Sequence, residues 1–146
     1  KVTFEVSTNP GAPAGPLNRI ASGGELSRFM LALKAVLASS DKIPTIIFDE
    51  VDAGIGGAVA AAVGARLATL SEGAQVLVVT HSPQVASRGA YHWRVSKSGD
   101  EGQVRTAIEP LESDARKEEL ARMLAGAEVT EEARAAADSL LQGVGR

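Results

Sequence analysis

The sequence predicts an α/β fold in which a mostly parallel sheet is flanked by helices. Two apolar, β-branched runs at residues 45–48 and 75–80 are typical of buried parallel strands. An alanine-rich segment at residues 58–70 lies between them and is predicted to be helical. A strand, a helix and a second strand in this order predict a crossover between neighbouring parallel strands.

The remaining elements follow from periodicity and from the positions of glycine and proline. Residues 2–7 alternate as in a strand, residues 8–16 are a Pro/Gly-rich loop, and helical spacing runs from Leu26 to about residue 39. The later sequence predicts a short helix, a hairpin and two closing helices, at residues 83–88, 91–111, 113–125 and 130–142. Thr130 is the predicted N-cap of the last helix, and Gly143 is its predicted stop.

Composition excludes several classes of protein. The chain has 146 residues, of which 45% are hydrophobic, and this is enough for one domain with a core. Its net charge of −3 excludes a chain that is basic throughout and binds nucleic acid for that reason. Cysteine is absent, and no apolar run approaches the roughly 20 residues that span a bilayer. We expect a cytoplasmic protein and, since Lys1 opens directly into a strand pattern, a piece of a longer one.

The stretch IASGGELSR, residues 20–28, places two glycines at the start of a predicted helix. Ser22 and Glu25 have the spacing of a capping box, in which each side chain bonds a backbone amide of the other residue. The box does not explain Gly23 and Gly24, because alanine at each would stabilise the helix by roughly 1 kcal/mol. Glycines allow an anion such as phosphate to approach the amides at the helix start. On this motif alone, a plain cap and a phosphate site both remain open.

Two carboxylates, Asp49 and Glu50, directly follow the first apolar strand. In open α/β sheets, ligands bind at the carboxyl ends of the strands. One of the two carboxylates can hold Mg²⁺, which binds proteins through one or two carboxylates together with water and substrate phosphates. The neighbouring carboxylate, pointing the other way, can orient or deprotonate an attacking water molecule. The alternative is an acidic loop that has no function.

His81 follows the second apolar strand, in the stretch VVTHS. A lone histidine is more often structural than catalytic, but this one lies at the same end of the predicted sheet as the two carboxylates. An imidazole at this place can donate a hydrogen bond to a phosphate oxygen or to a water molecule.

Together, the three motifs are more specific than any one of them. Their order resembles the C-terminal half of an ABC-type ATPase head, in which they are the signature motif, Walker B and the switch histidine. Within that class the chain resembles the RecN family, bacterial DNA-repair relatives of the SMC (structural maintenance of chromosomes) proteins. The likeness is carried by the segments STNPGAPAGPLNRIASGGELSR, IIFDEVDAGIGG, VVTHSPQVA, HWRVSK and LARMLAG.

The resemblance implies an ATP site that two heads share in a homodimer. Ser22, Gly23, Gly24 and Glu25 form the signature motif, which would meet the γ-phosphate of an ATP held by the opposite head. Two ATP molecules would be sandwiched between the heads, and hydrolysis would loosen the dimer. The likeness further implies DNA as a partner of the full-length protein, a nucleoid-associated cytoplasmic location, no membrane, and a role in double-strand break repair and recombination.

The resemblance also implies roles at the strand ends. Asp49 would hold Mg²⁺ through its water shell, Glu50 would position the hydrolytic water, and His81 would sense the γ-phosphate. Asp52 lies in the segment that corresponds to the D-loop and would contribute to the nucleotide site. The aspartate expected six residues after the Glu50 position is replaced by Gly56, so its role cannot be transferred.

The sequence lacks one motif that such a head requires. A P-loop reads G-x-x-x-x-G-K-[ST], and none of the lysines in this chain follows a glycine. The heptad run of a coiled-coil arm is missing as well. In RecN-like proteins the P-loop belongs to an N-terminal lobe beyond that arm. We therefore predict that residues 1–146 form a single C-terminal lobe, which hydrolyses ATP only together with the P-loop lobe.

Two rival interpretations remain. A transporter-type nucleotide-binding subunit usually has a proline where this chain has Val51, and a Leu-Asp pair where it has Ile55-Gly56. The other rival is a non-catalytic module that dimerises with ATP. The intact Asp49-Glu50 pair argues against it, because a scaffold does not need a carboxylate that positions water.

Three other features are predicted to be structural. Arg19 and Arg28 flank the signature motif and could reach a phosphate or DNA, but surface arginines are common and this simpler interpretation is favoured. Tyr91 and Trp93 fall on one face of a strand and are predicted to pack in the core. Residues 114–119 are predicted to be a solvated helix face with charges of both signs.

Overall fold

The computed structural model divides the chain into two compact units, Lys1–Thr80 and His81–Arg146. The described residues are 3, 5–7, 11, 13–16, 26, 28–33, 44–99 and 105–143. Within them, helices accompany three two-stranded sheets, one parallel and two antiparallel. The predicted mixed α/β class is confirmed.

In the first unit, a parallel strand pair is built as the sequence predicts. Strand β3 (Thr45–Asp49) pairs in parallel with β4 (Gln75–Val79), and helix α1 (Gly57–Ser71) connects them. Thr45 lies opposite Gln75, and Asp49 lies opposite Val79. Because the two strands are parallel and end opposite each other, their carboxyl ends lie at the same edge of the sheet.

Only one face of this strand pair is buried. Phe48 is buried, and so are Val63 and Leu67 of α1, a helix that contacts β4. On the opposite face, Ile47 is 68% exposed and Val79 is 57% exposed. The prediction of fully buried strands is therefore wrong for this face, since nothing in the described part of the unit covers these two side chains.

The N-terminal strand pairs with a segment that the sequence does not predict to be a strand. Strand β1 (Glu5–Val6) pairs antiparallel with β2 (Gly15–Pro16), a segment that the sequence predicts to be loop. Between them Gly11 adopts a φ of 84°, which glycine tolerates and which helps to reverse the chain. Residues 26 and 28–33 are helical, as predicted, and Leu31 is buried.

The second unit contains the predicted hairpin and the two closing helices. Its elements are helix α2 (Pro83–Ala86), strands β5 (His92–Ser98) and β6 (Arg105–Leu111), and helices α3 (Ser113–Ala125) and α4 (Glu131–Gln142). Leu120, Ala121, Ala133 and Ala137 form the core between α3 and α4. The predicted cap is confirmed, because the Ala133 amide donates to Thr130 Oγ1 at 3.3 Å. Among the described residues, no helix combines the length and the apolar character needed to cross a membrane.

Two charged residues of α3 point inward, which corrects the prediction of a solvated face. Arg116 Nη2 donates to the carbonyl oxygens of Ser87 at 2.9 Å and Gly89 at 2.6 Å, just beyond the end of α2. Glu119 is only 6% exposed, and the hydrogen bonds from Arg122 lower the pKa of its carboxyl. Backbone carbonyls at the end of a helix need donors, and Arg116 supplies them from another element.

Replacing Arg116 with alanine is expected to lower the free energy of unfolding of the second unit by about 2 kcal/mol, because the Gly89 carbonyl and the partly buried Ser87 carbonyl lose a charged donor. Trp93 is the single tryptophan of the chain and lies in this unit, so its fluorescence during urea unfolding measures the change. Arg105→Ala, at an exposed position of β6, is the control and is expected to change little. Equal effects of the two substitutions would contradict the role given to Arg116.

The hairpin presents an apolar face to solvent. Tyr91 is 87% exposed and Trp93 is 59% exposed, so the prediction that they pack in the core is wrong. Val95 and its cross-strand neighbour Ile108 are exposed beside Trp93. Alternation along a strand groups such residues correctly on one face, but it does not determine which face is covered.

Candidate functional site

Asp49 and Glu50 lie where β3 ends, and both side chains are exposed. The Glu50 amide donates to the Val79 carbonyl oxygen at 3.0 Å, which adds one bond to the ladder beyond the last strand residue. The backbone of Glu50 then enters the left-handed region, with a φ of 48°. The chain therefore turns sharply between the first carboxylate and the residues that follow the second.

The left-handed backbone at Glu50 is held by its neighbours. A residue other than glycine in this conformation costs of order 1 kcal/mol and persists where the surroundings hold it in place. Here the Glu50 amide bonds β4, and its carbonyl oxygen accepts the Ala53 amide at 2.9 Å. We call residues 50–53 the Glu50 turn.

The Glu50 turn contains a buried carboxylate. Asp52 and Val51 are both 0% exposed. Thr80 Oγ1, directly after β4, donates to Asp52 Oδ2 at 2.5 Å, and the Ile55 amide donates to the Asp52 carbonyl oxygen at 3.2 Å. This burial favours a positioning role for Asp52 over direct contact with a nucleotide, and the predicted contact stays a prediction.

Arg28 contacts the same turn from another part of the first unit. Its Nη1 donates to the Ala53 carbonyl oxygen at 3.1 Å, and the bond is partly buried. Arg28 comes three residues after Glu25. This bond therefore connects the segment that follows the SGGE motif to the Glu50 turn. No local sequence pattern predicts this contact, which spans 25 residues.

The other predicted site residues are placed only in part. His81 is exposed and begins the second unit, one residue after Thr80. Its grouping with Asp49 and Glu50 stays a prediction from the sequence. The signature residues, and with them the capping box, lie outside the described residues; they are Ser22, Gly23, Gly24 and Glu25.

The loop that leads into α1 is rich in glycine for a conformational reason at two positions. Gly54 and Gly57 have φ values of 73° and 54°, a region that favours glycine. Gly56 is extended instead, at a φ of −154°, and is the N-cap of α1. A Cβ atom at Gly56 would meet nothing within 4 Å, so the departure from the D-loop aspartate is not imposed by crowding in the described structure.

The strand-end carboxylates suit a magnesium ion that substrate helps to bind. Among the described residues, no group of three or more His, Cys, Asp or Glu could hold a metal by itself. Mg²⁺ needs fewer protein ligands, because it keeps several waters and takes further oxygens from substrate phosphates. Asp49 offers a hard oxygen ligand at an open sheet edge, which fits this mode of binding.

Comparison with known proteins finds close relatives. The chain is 54% identical over 142 residues to DNA repair protein RecN of Xylella fastidiosa, with 97% of this chain and 26% of the relative covered. It is 50% identical over 142 residues to the RecN of Streptomyces coelicolor, covering 97% and 25% of the two chains. It is 49% identical over 140 residues to that of Vibrio cholerae, covering 96% and 25%. The chain thus spans about a quarter of the length of these curated relatives.

A solved structure shares the fold. It comes from work on ATP-driven dimerization and DNA-stimulated activation of SMC ATPases, and it aligns with a TM-score of 0.56 at 19% identity. The alignment covers 81% of this chain and 70% of the other. No protein-family model matches the sequence. At identities near one half over almost its whole length, the chain is thus similar to a segment of the RecN family of DNA repair proteins.

Proposed function

We propose that this chain is the C-terminal lobe of the ATP-hydrolysing head of a RecN-like, SMC-family protein. The observation that carries the proposal is the exposed Asp49-Glu50 pair at the carboxyl end of parallel strands, in a chain similar to this family. Such an edge is where α/β proteins bind their ligands. The complete protein acts in double-strand break repair and recombination, through DNA contacts that lie in the full-length molecule.

In the proposed mechanism each residue at the strand ends has a separate role in ATP hydrolysis. Asp49 would hold Mg²⁺ through its water shell, and the bound ion would supply positive charge to neutralise the phosphates of ATP. Glu50 orients the attacking water and accepts its proton. His81 donates a hydrogen bond to the γ-phosphate.

Two further parts of the protein complete the nucleotide site. The P-loop lobe of the same protein cradles the β- and γ-phosphates through backbone amides and a lysine. The signature residues Ser22 and Gly24 of a second head meet the γ-phosphate from the other side, at the start of their helix. ATP thereby becomes part of a homodimer interface, and loss of the γ-phosphate releases it. In this proposal, ATP-dependent dimerisation and hydrolysis take place in the cytoplasm, at the nucleoid.

The rival of a non-catalytic dimerisation module is less well supported. Such a module would need the signature residues but would have no use for Glu50. In the structure Glu50 is held in an unfavourable backbone conformation while its side chain stays exposed. Backbone strain of this kind is concentrated at functional sites. This supports a chemical role for Glu50.

The proposal is tested by the substitution Ser22→Arg in a head assembled with its P-loop lobe. A bulky cation at the signature position blocks the second head, so ATP turnover is expected to fall by about 100-fold or more. ATP binding to the P-loop lobe is expected to stay within about twofold, because the signature residue belongs to the opposite head. Phosphate release and fluorescent-ATP titration measure the two quantities.

Ser71→Arg is the matched control, since Ser71 is an exposed serine at the end of α1 in the same unit. It is expected to leave both turnover and ATP binding unchanged. Parental turnover by the Ser22→Arg head would overturn the shared-site proposal. ATP-dependent dimerisation without any hydrolysis by the parental head would favour the scaffold instead.

A further inference from the structure

We infer that the Glu50 turn is a positioning hub, in which Asp52 and Thr80 act together as positioning residues for the catalytic carboxylate. The inference deepens the proposed ATPase function and rests on it for its kinetic consequences. Three separate segments meet at this turn: the helix after the signature motif, the end of β3 and the end of β4. The end of β3 continues directly into the turn, and a named hydrogen bond attaches each of the other two segments.

The first attachment joins the turn to the end of β4. Asp52 is fully buried, and a buried carboxylate is unfavourable unless hydrogen bonds compensate for the lost water. Thr80 Oγ1 supplies part of this compensation, at 2.5 Å from Oδ2. The bond fixes the residue that immediately precedes His81 in the chain.

The second attachment joins the turn to the helix that follows the signature motif. Arg28 Nη1 donates to the Ala53 carbonyl oxygen at 3.1 Å. The Ala53 amide in turn donates to the Glu50 carbonyl oxygen at 2.9 Å. A displacement of the 28–33 helix is therefore transmitted to Glu50 through one residue.

The position of Glu50 has to be accurate for the proposed chemistry. A general base acts only within hydrogen-bond reach of the water it deprotonates. A misplacement of about 1 Å can cost around 100-fold in rate without loss of substrate affinity. Loosening the hub is therefore expected to lower kcat while KM for ATP hardly changes.

The test compares two threonine-to-valine substitutions on the same pair of strands. Thr80→Val removes the hydroxyl group that donates a hydrogen bond to Asp52, and it keeps the shape of the side chain. Thr45→Val is the matched control, because Thr45 Oγ1 donates to Gln75 Oε1 at 3.0 Å at the opposite, exposed end of the two strands. In the head assembled with its P-loop lobe, Thr80→Val is expected to lower kcat by about 10-fold or more, with KM within about twofold.

Two further variants show that the hydroxyl itself is responsible. Thr80→Ser restores the donor and is expected to return kcat to within about threefold of the parent. In a double-mutant cycle, Asp52→Ala combined with Thr80→Val is expected to lower kcat by much less than the product of the single effects. Equal kcat for Thr80→Val and Thr45→Val, or independent effects of Asp52→Ala and Thr80→Val, would overturn the inference.

A measurement on the 146-residue chain separates this inference from the ATPase proposal. Thr80→Val is expected to speed amide hydrogen exchange in residues 50–53 by about tenfold, whereas Thr45→Val leaves it unchanged. Unchanged exchange in both variants would rule out the hub even if the head hydrolyses ATP. Faster exchange in Thr80→Val, with a parental head that has no ATPase activity, would support the hub and refute the proposed enzyme.

Discussion

Replacing Glu50 with glutamine is expected to slow ATP hydrolysis by the assembled head by about 100-fold or more, because a carboxamide is a poor base. ATP binding is expected to change less than about twofold, since the substitution keeps the size and hydrogen-bonding reach of the side chain. The left-handed backbone at Glu50 is held by bonds of its own amide and carbonyl, so the substitution leaves the turn intact. Single-turnover phosphate release measures the chemical step directly.

The same substitution is expected to trap the sandwich dimer. If the γ-phosphate belongs to the interface, a head that binds ATP without cleaving it remains dimeric, and sedimentation velocity with ATP and Mg²⁺ detects this. Glu72→Gln is the matched control, because Glu72 is an exposed glutamate just after α1. Hydrolysis at the parental rate by Glu50→Gln would exclude Glu50 as the residue that activates water.

Local sequence patterns predict the elements of this fold well. The parallel pair β3 and β4, the hairpin and the last two helices all lie within a few residues of their predicted bounds. Their signals are short-range: β-branched runs, a turn between alternating segments, and a threonine three residues before the amide that it caps. Such patterns depend on neighbours in sequence, and those neighbours are fully visible in one chain.

Burial is harder to predict because it depends on what covers a surface. Trp93 and Val95 alternate as core residues would, yet both face solvent beside Ile108. Ile47 likewise lies on the uncovered face of a strand whose Phe48 is buried. The residues of a strand determine which side chains share a face. Whether that face is buried depends on other segments that pack against it, and the sequence of the strand does not reveal them.

In the candidate site, too, local features are predictable from the sequence and long-range contacts are not. Asp49 and Glu50 are identifiable because they directly follow an apolar strand, a pattern with a chemical meaning. The residues that bond the neighbouring Asp52 and Ala53, namely Thr80 and Arg28, lie 28 and 25 residues away from these contacts in sequence. No spacing rule predicts such bonds, since they depend on the tertiary arrangement of three segments. Candidate catalytic groups can thus be predicted from one sequence more readily than the long-range contacts around them.

The isolated 146-residue chain is expected to show no ATP turnover above the protein-free blank. Asp49 and Glu50 are present, but no lysine in the chain follows a glycine as a P-loop requires, so the β- and γ-phosphates have no cradle. Carboxylates alone repel a polyphosphate, and a water-activating base has no effect on a substrate that is not held in place.

Adding a separately produced P-loop lobe is expected to restore turnover to at least about 100-fold above the isolated chain, since the electrostatic cradle is then supplied in trans. The measurement is continuous phosphate release over a titration of the added lobe, which saturates as the two lobes associate. The same lobe added to the Glu50→Gln chain is expected to restore ATP binding but not hydrolysis, and this excludes activity that belongs to the added lobe alone. Robust hydrolysis by the isolated chain would show that its strand-end carboxylates work with phosphate ligands of its own, and the site would then be complete within one chain.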